Sequence, residues 1–246
     1  MRIPDSLSGL TAGIMRHLEN DFDKAARSMT SGDAITQAAD DPAGMAVAEK
    51  LESQIRSREI EIRNAQDAIS LVQTADGALS GMQDILQHMN ELSLQAANGT
   101  CTMDDRALIA GEFDQLNTEL TDIAQNTNYN GIPILFNAGP ESMGLNDVSL
   151  SSRDGAEQAA TAVQSSIHSV SEMRTSLGTH QTSLEPLIRQ LAVASENLTA
   201  AQSRLTDADF AQVSMALASQ NILNQSSTAV MAHANFRRDI ILGLLE

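Results

Sequence analysis

The side chains that first suggest acid–base, nucleophilic or ligand chemistry are five histidines, one cysteine and three pairs of carboxylates that precede helical patterns. His17, His88, His168, His180 and His233 are scattered, and none stands three or four residues from another, so no helix face offers two imidazoles to a metal. Asp40 with Asp41, Asp104 with Asp105, and Asp207 with Asp209 bring carboxylates together as a divalent cation would need. Each pair precedes a helical pattern, however, where carboxylates cap free backbone N–H groups and meet the positive end of the helix dipole. Capping is therefore their expected role. Cys101 sits in a short polar turn and has no partner for a disulfide within the chain. Asn98, Asn197 and Asn224 begin Asn-x-Ser/Thr triplets, two inside helical patterns and one at a helix end, and are read as chance matches. No His-Glu-x-x-His, phosphate-binding glycine loop, Gly-x-Ser-x-Gly or Gly-x-Gly-x-x-Gly is present. The expectation is a protein without catalytic, cofactor-binding or metal residues.

The elements that carry these residues are helices. Between Leu187 and Leu242 there is neither Gly nor Pro, and no proline occurs between Pro42 and Pro133. Each would cost an interior helical position about 1 or about 3 kcal/mol, so such gaps mark helices. Only residues 128–150 are dense in turn formers. Ile3, Leu7, Leu10, Ile14, Leu18, Phe22 and Ala25 recur at spacings of three or four, and Asp41-Pro42 reads as an N-cap with proline at the first helical position. From there Val47, Leu51, Ile55, Ile62, Ala65, Ile69 and Val72 line one face, which Leu79, Met82, Leu86, Met89, Leu92 and Ala96 continue to a C-cap at Gly99. Thr102 with Asp105 resembles a capping box that opens the helix of Ile109, Phe113, Leu116, Leu120 and Ile123. In the second arm Leu184, Leu187, Leu191, Ala194, Leu198, Ala201 and Leu205 alternate steps of three and four, the spacing of helices wound along one another. Pro186 should kink or break that helix. Thr206 with Asp209 marks a new N-terminus, after which Met215, Ala218, Ile222, Gln225, Ala229, Ala232, Phe236, Ile240 and Leu244 carry a stripe onward. The predicted fold is mainly α: a long antiparallel helical bundle or coiled coil with a short β-hairpin tip.

Composition narrows the function. With no Trp, one Tyr and five Phe in 246 residues, the core must be built from small aliphatic side chains and methionine. That suits helix on helix and disfavours sandwiches, which draw on aromatic and β-branched residues. A net charge of −17 opposes binding to nucleic acid or to an anionic membrane surface. The apolar runs are too short to span a bilayer, and Pro4 and Asp5 stand where a secretory leader needs an apolar run. The two terminal stripes stand apart from the central bundle, separated by Ser31-Gly32-Asp33 and Thr206-Asp207. Ordering a residue costs about 1 to 2 kcal/mol, and burying a large aliphatic side chain returns about 1.5 to 3 kcal/mol. With about one such residue in four, each terminal segment alone is expected to be largely disordered and to become helical when many copies bury the stripes together.

Several segments, in order along the chain, resemble the bacterial flagellin family. They are SGDAITQAADDPAGMAVAEKL at 31–51, RNAQDAISLVQTADGALSGMQDIL at 63–86, ELSLQAANGT at 91–100, DIAQNTNYNGIPIL at 122–135 and SRLTDADFAQVSMALASQNILNQSSTAVMAHAN at 203–235. The resemblance implies a structural subunit that polymerises into the flagellar filament for motility. Residues 1–40 and 206–246 would be paired terminal helices of an inner tube, and residues 41–205 a helical outer tube with its hairpin region at 129–150. It further implies a minimal form without inserted surface domains, exported unfolded by the flagellar export apparatus and its chaperone. The partners implied are further copies of the chain and the hook-associated and cap proteins, with no nucleic acid and no membrane insertion, and the location is the extracellular filament. The subunit contacts would be Leu7, Leu10, Ile14, Leu18 and Phe22 against Ile222, Ala229, Phe236, Ile240 and Leu244.

In the same family a vertebrate receptor reads an outer-tube pattern that Leu92 and Glu119 match, with His88 where an Arg is usual. A neutral imidazole lacks the fixed charge and bidentate fork of Arg, so weak receptor activation is expected. Asp33-Ala34 replaces the family's apolar-basic pair. The opening Met-Arg-Ile and Asp41-Pro42 resemble the related hook–filament junction protein, the alternative reading, and a cytosolic acidic coiled-coil adaptor is a second alternative. Because the charge of −17 accumulates with each added subunit, assembly should strengthen as salt screens the repulsion, which light scattering across a salt series would measure.

Overall fold

A computed structural model describes residues 6–136 and 138–243. Among them are five helices, α1 (Ser6–Ser31), α2 (Pro42–Ala97), α3 (Met103–Asn126), α4 (Arg153–Thr206) and α5 (Phe210–Gly243), with two short strands, β1 (Asn128–Tyr129) and β2 (Ile132–Pro133), between α3 and α4. The chain divides into two compact units, Met1–Arg58 with Ala194–Glu246, and Glu59–Val193.

The helix starts follow the caps that local chemistry provides. Asp41 Oδ1 accepts the N–H groups of Ala43 at 3.1 Å and Gly44 at 3.0 Å, with Pro42 supplying the turn that needs no donor. Thr102 and Asp105 form a reciprocal capping box at the start of α3. α5 is capped by Asp209, whose Oδ1 takes the N–H groups of Ala211 and Gln212, whereas Thr206 is the last residue of α4. The expected N-terminus at Thr206 thus moves three residues on, to the carboxylate that can reach two free donors. Gly99 is not a left-handed cap: α2 stops at Ala97, and its final carbonyls are taken by Arg106, whose Nε donates to Ala96 O at 2.8 Å and Nη2 to Asn98 O at 3.2 Å.

Pro186 does not end α4, which continues from Arg153 to Thr206. Thr182, Glu185 and Pro186 are all exposed, so the carbonyl left without a donor at Thr182 is open to water. The hairpin is tighter than the 129–150 region that was expected to hold it. Tyr129 pairs with Ile132 and Asn128 with Pro133 around Asn130-Gly131, both at positive φ (52° and 78°), the geometry of a type I′ turn.

The core of the Glu59–Val193 unit is continuous. Leu79, Met82, Leu86, Met89, Leu92 and Ala96 from α2 meet Ile109, Phe113 and Leu120 from α3 and Ala156, Ala159, Val163 and Val170 from α4. Leu135, Ala138, Leu145 and Leu150 from the turns after the hairpin complete it. Arg174 on α4 is held by Asp76 at 2.9 Å and Gln83 at 2.8 Å on α2, and the Asp76 carboxylate raises its pKa. Leu86 is fully buried. Leu86→Ala should therefore destabilise this unit by about 2 to 5 kcal/mol, read as a lower urea midpoint of the helical circular dichroism signal.

Candidate assembly interface

The Met1–Arg58 and Ala194–Glu246 unit is built differently. α1 packs against α5, and the connections that follow α1 and precede α5 are tied by an antiparallel bridge between Asp33 and Asp207. Ala34 N–H donates to Thr206 O at 2.6 Å and Ala208 N–H to Gly32 O at 2.8 Å. Gly32 takes φ +82° where α1 ends, a conformation that costs glycine little. The two helices consequently run antiparallel away from one junction. In the described residues α1 and α5 pack on each other, so each shields part of the other's apolar surface.

The loop between α1 and α2 is organised by the two adjacent aspartates with separate tasks. Asp41 caps α2, and Asp40 Oδ2 accepts from Thr36 N, Thr36 Oγ1 and Gln37 N at 3.0–3.3 Å. Asp40 Oδ1 meets Lys24 Nζ of α1 at 3.1 Å, and its side chain is only 11% exposed. The Lys24 hydrogen bond, with those from Thr36, holds the Asp40 carboxyl below the usual carboxylate range against the opposing effect of burial. Gly44 admits this packing, since a Cβ there would lie 2.4 Å from Asp41 Oδ2 and 2.8 Å from Ile35 Cδ1.

On α5, the described half-buried positions include Val213, Leu217, Gln220, Asn224, Ser227 and Met231, at heptad-like steps of four and three, with Ser214 beside Val213. On α1 they include Met15, Leu18, Phe22, Ala25 and Met29. The α5 stripe that holds expected subunit contacts is open on the surface of the single chain: Met215 and Ile222 are 67% exposed and Phe236 64%, and Ala229 is also exposed. Ile14 on α1 is 50% exposed, whereas Leu18 and Phe22 are half-buried. Phe210, Leu223 and Val230 add to the exposed apolar surface of α5. The side chains of Leu7, Leu10 and Ile240 and the whole of Leu244 lie outside the described residues. Apolar periodicity finds only the outer row of α5, because the polar Gln220, Asn224 and Ser227 interrupt the inner one.

Of the three residues expected to face a receptor, His88 and Glu119 are exposed, but Leu92 is 6% exposed and belongs to the core. The carboxylate that meets His88 across α2 and α3 is Glu112, 3.2 Å from Nε2, with Glu91 at 3.7 Å from Nδ1. Glu112 was missed because its pairing depends on helix register and not on a local motif. Among the described residues there is no group of three or more His, Cys, Asp or Glu side chains that could hold a metal, and no helix long and apolar enough to cross a membrane.

A group whose folded pKa is depressed stabilises the fold above its ordinary value and loses that effect as pH falls through the depressed one. Asp40→Asn should therefore lower the thermal midpoint of the terminal helices at neutral pH. The gap to the parent chain should close as both are titrated below the ordinary carboxylate pKa, followed by circular dichroism melts at stepped pH.

Residues 10–139 match the model of the bacterial flagellin N-terminal helical region, and residues 160–245 match that of the C-terminal helical region. A flagellin of Halalkalibacterium halodurans is 38% identical over 92% of both chains. A flagellin of Bacillus subtilis and a flagellar filament core protein of Brachyspira hyodysenteriae are each 33% identical over 100% of both chains. The crystal structure of Bacillus cereus flagellin, 27% identical, aligns over 52% of this chain and 88% of that one with a TM-score of 0.47. With both terminal regions matched and relatives above 30% identity along nearly the whole chain, this protein belongs to the bacterial flagellin family, the structural subunits of the flagellar filament.

Proposed function

We propose that copies of this chain polymerise into the flagellar filament by burying the outer face of α5 against neighbouring copies. The observation that carries this reading is the row Met215, Ile222 and Phe236, each about two-thirds exposed in a single chain. Soluble monomers rarely leave such a row uncovered, and each large side chain contributes about 1.5 to 3 kcal/mol when removed from water. Residues 1–40 and 206–246 would form the inner tube and residues 41–205 the outer tube, with 129–150 at its turn-rich end. Leu7, Leu10, Ile14, Ile240 and Leu244 would extend the proposed contact surface, with Leu18 and Phe22 contributing what pairing with α5 leaves uncovered. The chain would reach the growing filament unfolded, through the export apparatus with a dedicated chaperone, and meet hook-associated and cap proteins at the filament ends.

Purified protein added to sheared filament fragments should elongate them, seen as lengthening by electron microscopy. Ile222→Glu should stop elongation while leaving the Leu79 to Val170 core folded, and removal of residues 225–246 should do the same. Failure of the intact chain to extend fragments, with incorporation only beside junction proteins, would instead assign it to the hook–filament junction.

A further inference from the structure

The turn between α2 and α3 holds Asn98 followed by Gly99, and hydrogen bonds reach the two oxygens that would carry negative charge if this pair closed on itself. We propose that Asn98 is a site of self-catalysed deamidation, with the Gly99 backbone nitrogen attacking the Asn98 side-chain amide carbon.

The nucleophile in such a step is the deprotonated Gly99 amide, and its charge is shared with the carbonyl oxygen of the same peptide unit, Asn98 O. That oxygen accepts from Cys101 N–H at 3.1 Å and from Arg106 Nη2 at 3.2 Å. A cation bonded to it stabilises the anionic form and so makes the N–H more acidic. Arg106 is held in place by its second bond, Nε to Ala96 O at 2.8 Å. The electrophile is Asn98 Cγ. Its oxygen Oδ1 accepts from Thr100 N–H at 3.1 Å, and the same donor would stabilise the negative charge that develops on Oδ1 as the tetrahedral intermediate forms. Gly99 has no Cβ to crowd the attack, and among the described residues its own N–H makes no hydrogen bond that must first break.

The balance of the reaction is simple. The bond from Gly99 N to Asn98 Cγ forms, the bond from Cγ to Nδ2 breaks, and Nδ2 leaves as ammonia carrying the hydrogen lost by Gly99. Water then opens the cyclic imide at either carbonyl, giving aspartate or its β-linked isomer. The product exchanges a neutral amide for a carboxylate near Arg106, and the β-linked form adds a methylene to the main chain between α2 and α3.

The chain contains its own comparison. Asn130-Gly131 has the same two residues, but Asn130 is fixed at φ +52° in the hairpin turn, between the paired Tyr129 and Ile132. Its oxygens accept none of the bonds described for Asn98 among the described residues. Ring closure there would have to break the turn.

Purified full-length protein would be incubated at mildly alkaline pH, and conversion at both sites followed by peptide mass mapping with isoaspartate-specific methylation. In the native protein Asn98 should convert several-fold faster than Asn130, and in concentrated urea the two rates should converge. Arg106→Gln should slow Asn98 and leave Asn130 unchanged. Gly99→Ala should nearly abolish conversion at Asn98, and it should fold, because a Cβ there meets nothing within 4 Å. Conversion of Asn98 no faster in the native chain than in urea would overturn the proposal. So would an unchanged rate in an Arg106→Gln protein whose circular dichroism is unaltered.

Discussion

Two helices laid side by side share one face each, and everything else on them remains in water unless another molecule covers it. The pairing of α1 with α5 is governed by this limit, and the way each face is used is informative. On α5 the row shielded within the chain includes Gln220, Asn224 and Ser227, while Met215, Ile222, Val230 and Phe236 lie outside it. α1 supplies the apolar half of the seam through Leu18, Phe22, Ala25 and Met29. A protein that functioned alone would be expected to arrange α5 the other way round, with its strongest apolar row inside. The more strongly apolar surface of α5 is left open, available for contacts between subunits.

The Glu59–Val193 unit solves the burial problem within itself. Three helices enclose Met82, Leu86, Met89, Phe113, Leu120, Val163 and Val170, and the turns after the hairpin add Leu145 and Leu150. Many contributors are Ala, such as Ala75, Ala96, Ala156 and Ala159, which let helix backbones approach closely without large side chains to interlock. Dispersal of the same burial along many small residues explains how a chain with so few aromatics forms a closed core.

Much of this was legible in the sequence because it rests on local periodicity and on caps. The α2 row from Leu79 to Ala96, the α3 row from Ile109 to Leu120, and the caps at Asp41 and Thr102 depend on residues within four positions of each other. What could not be read depends on which surface faces which. The α5 stripe is as regular as the α2 row, yet one is exposed and the other buried, and periodicity alone does not separate them. Leu92 shows the same limit: it matches a motif by its spacing, but the packing of α2 against α3 turns it inward. Pro186 shows the opposite limit, since a residue that breaks buried helices is tolerated where its orphaned carbonyl meets solvent.

The junction at Asp33 shows how a departure from the family's usual residues is absorbed. Asp33 and Asp207 stand opposite each other across the antiparallel bridge, and like charges in that position destabilise a pair. Both are exposed, so water and salt screen the repulsion, and the Asp207 carboxylate is held by the Ser203 and Thr206 hydroxyls. The bonds that close the junction are made by the main chain, from Ala34 to Thr206 and from Ala208 to Gly32. They do not depend on which side chains occupy positions 33 and 34. The side-chain work falls on Asp40 and Asp41, which fasten the same loop to Lys24 and to the start of α2. A chain can therefore lose the apolar-basic pair beside Gly32 and keep the geometry that directs α1 and α5 from one point, because the contacts that set it lie in the backbone and a few residues farther along.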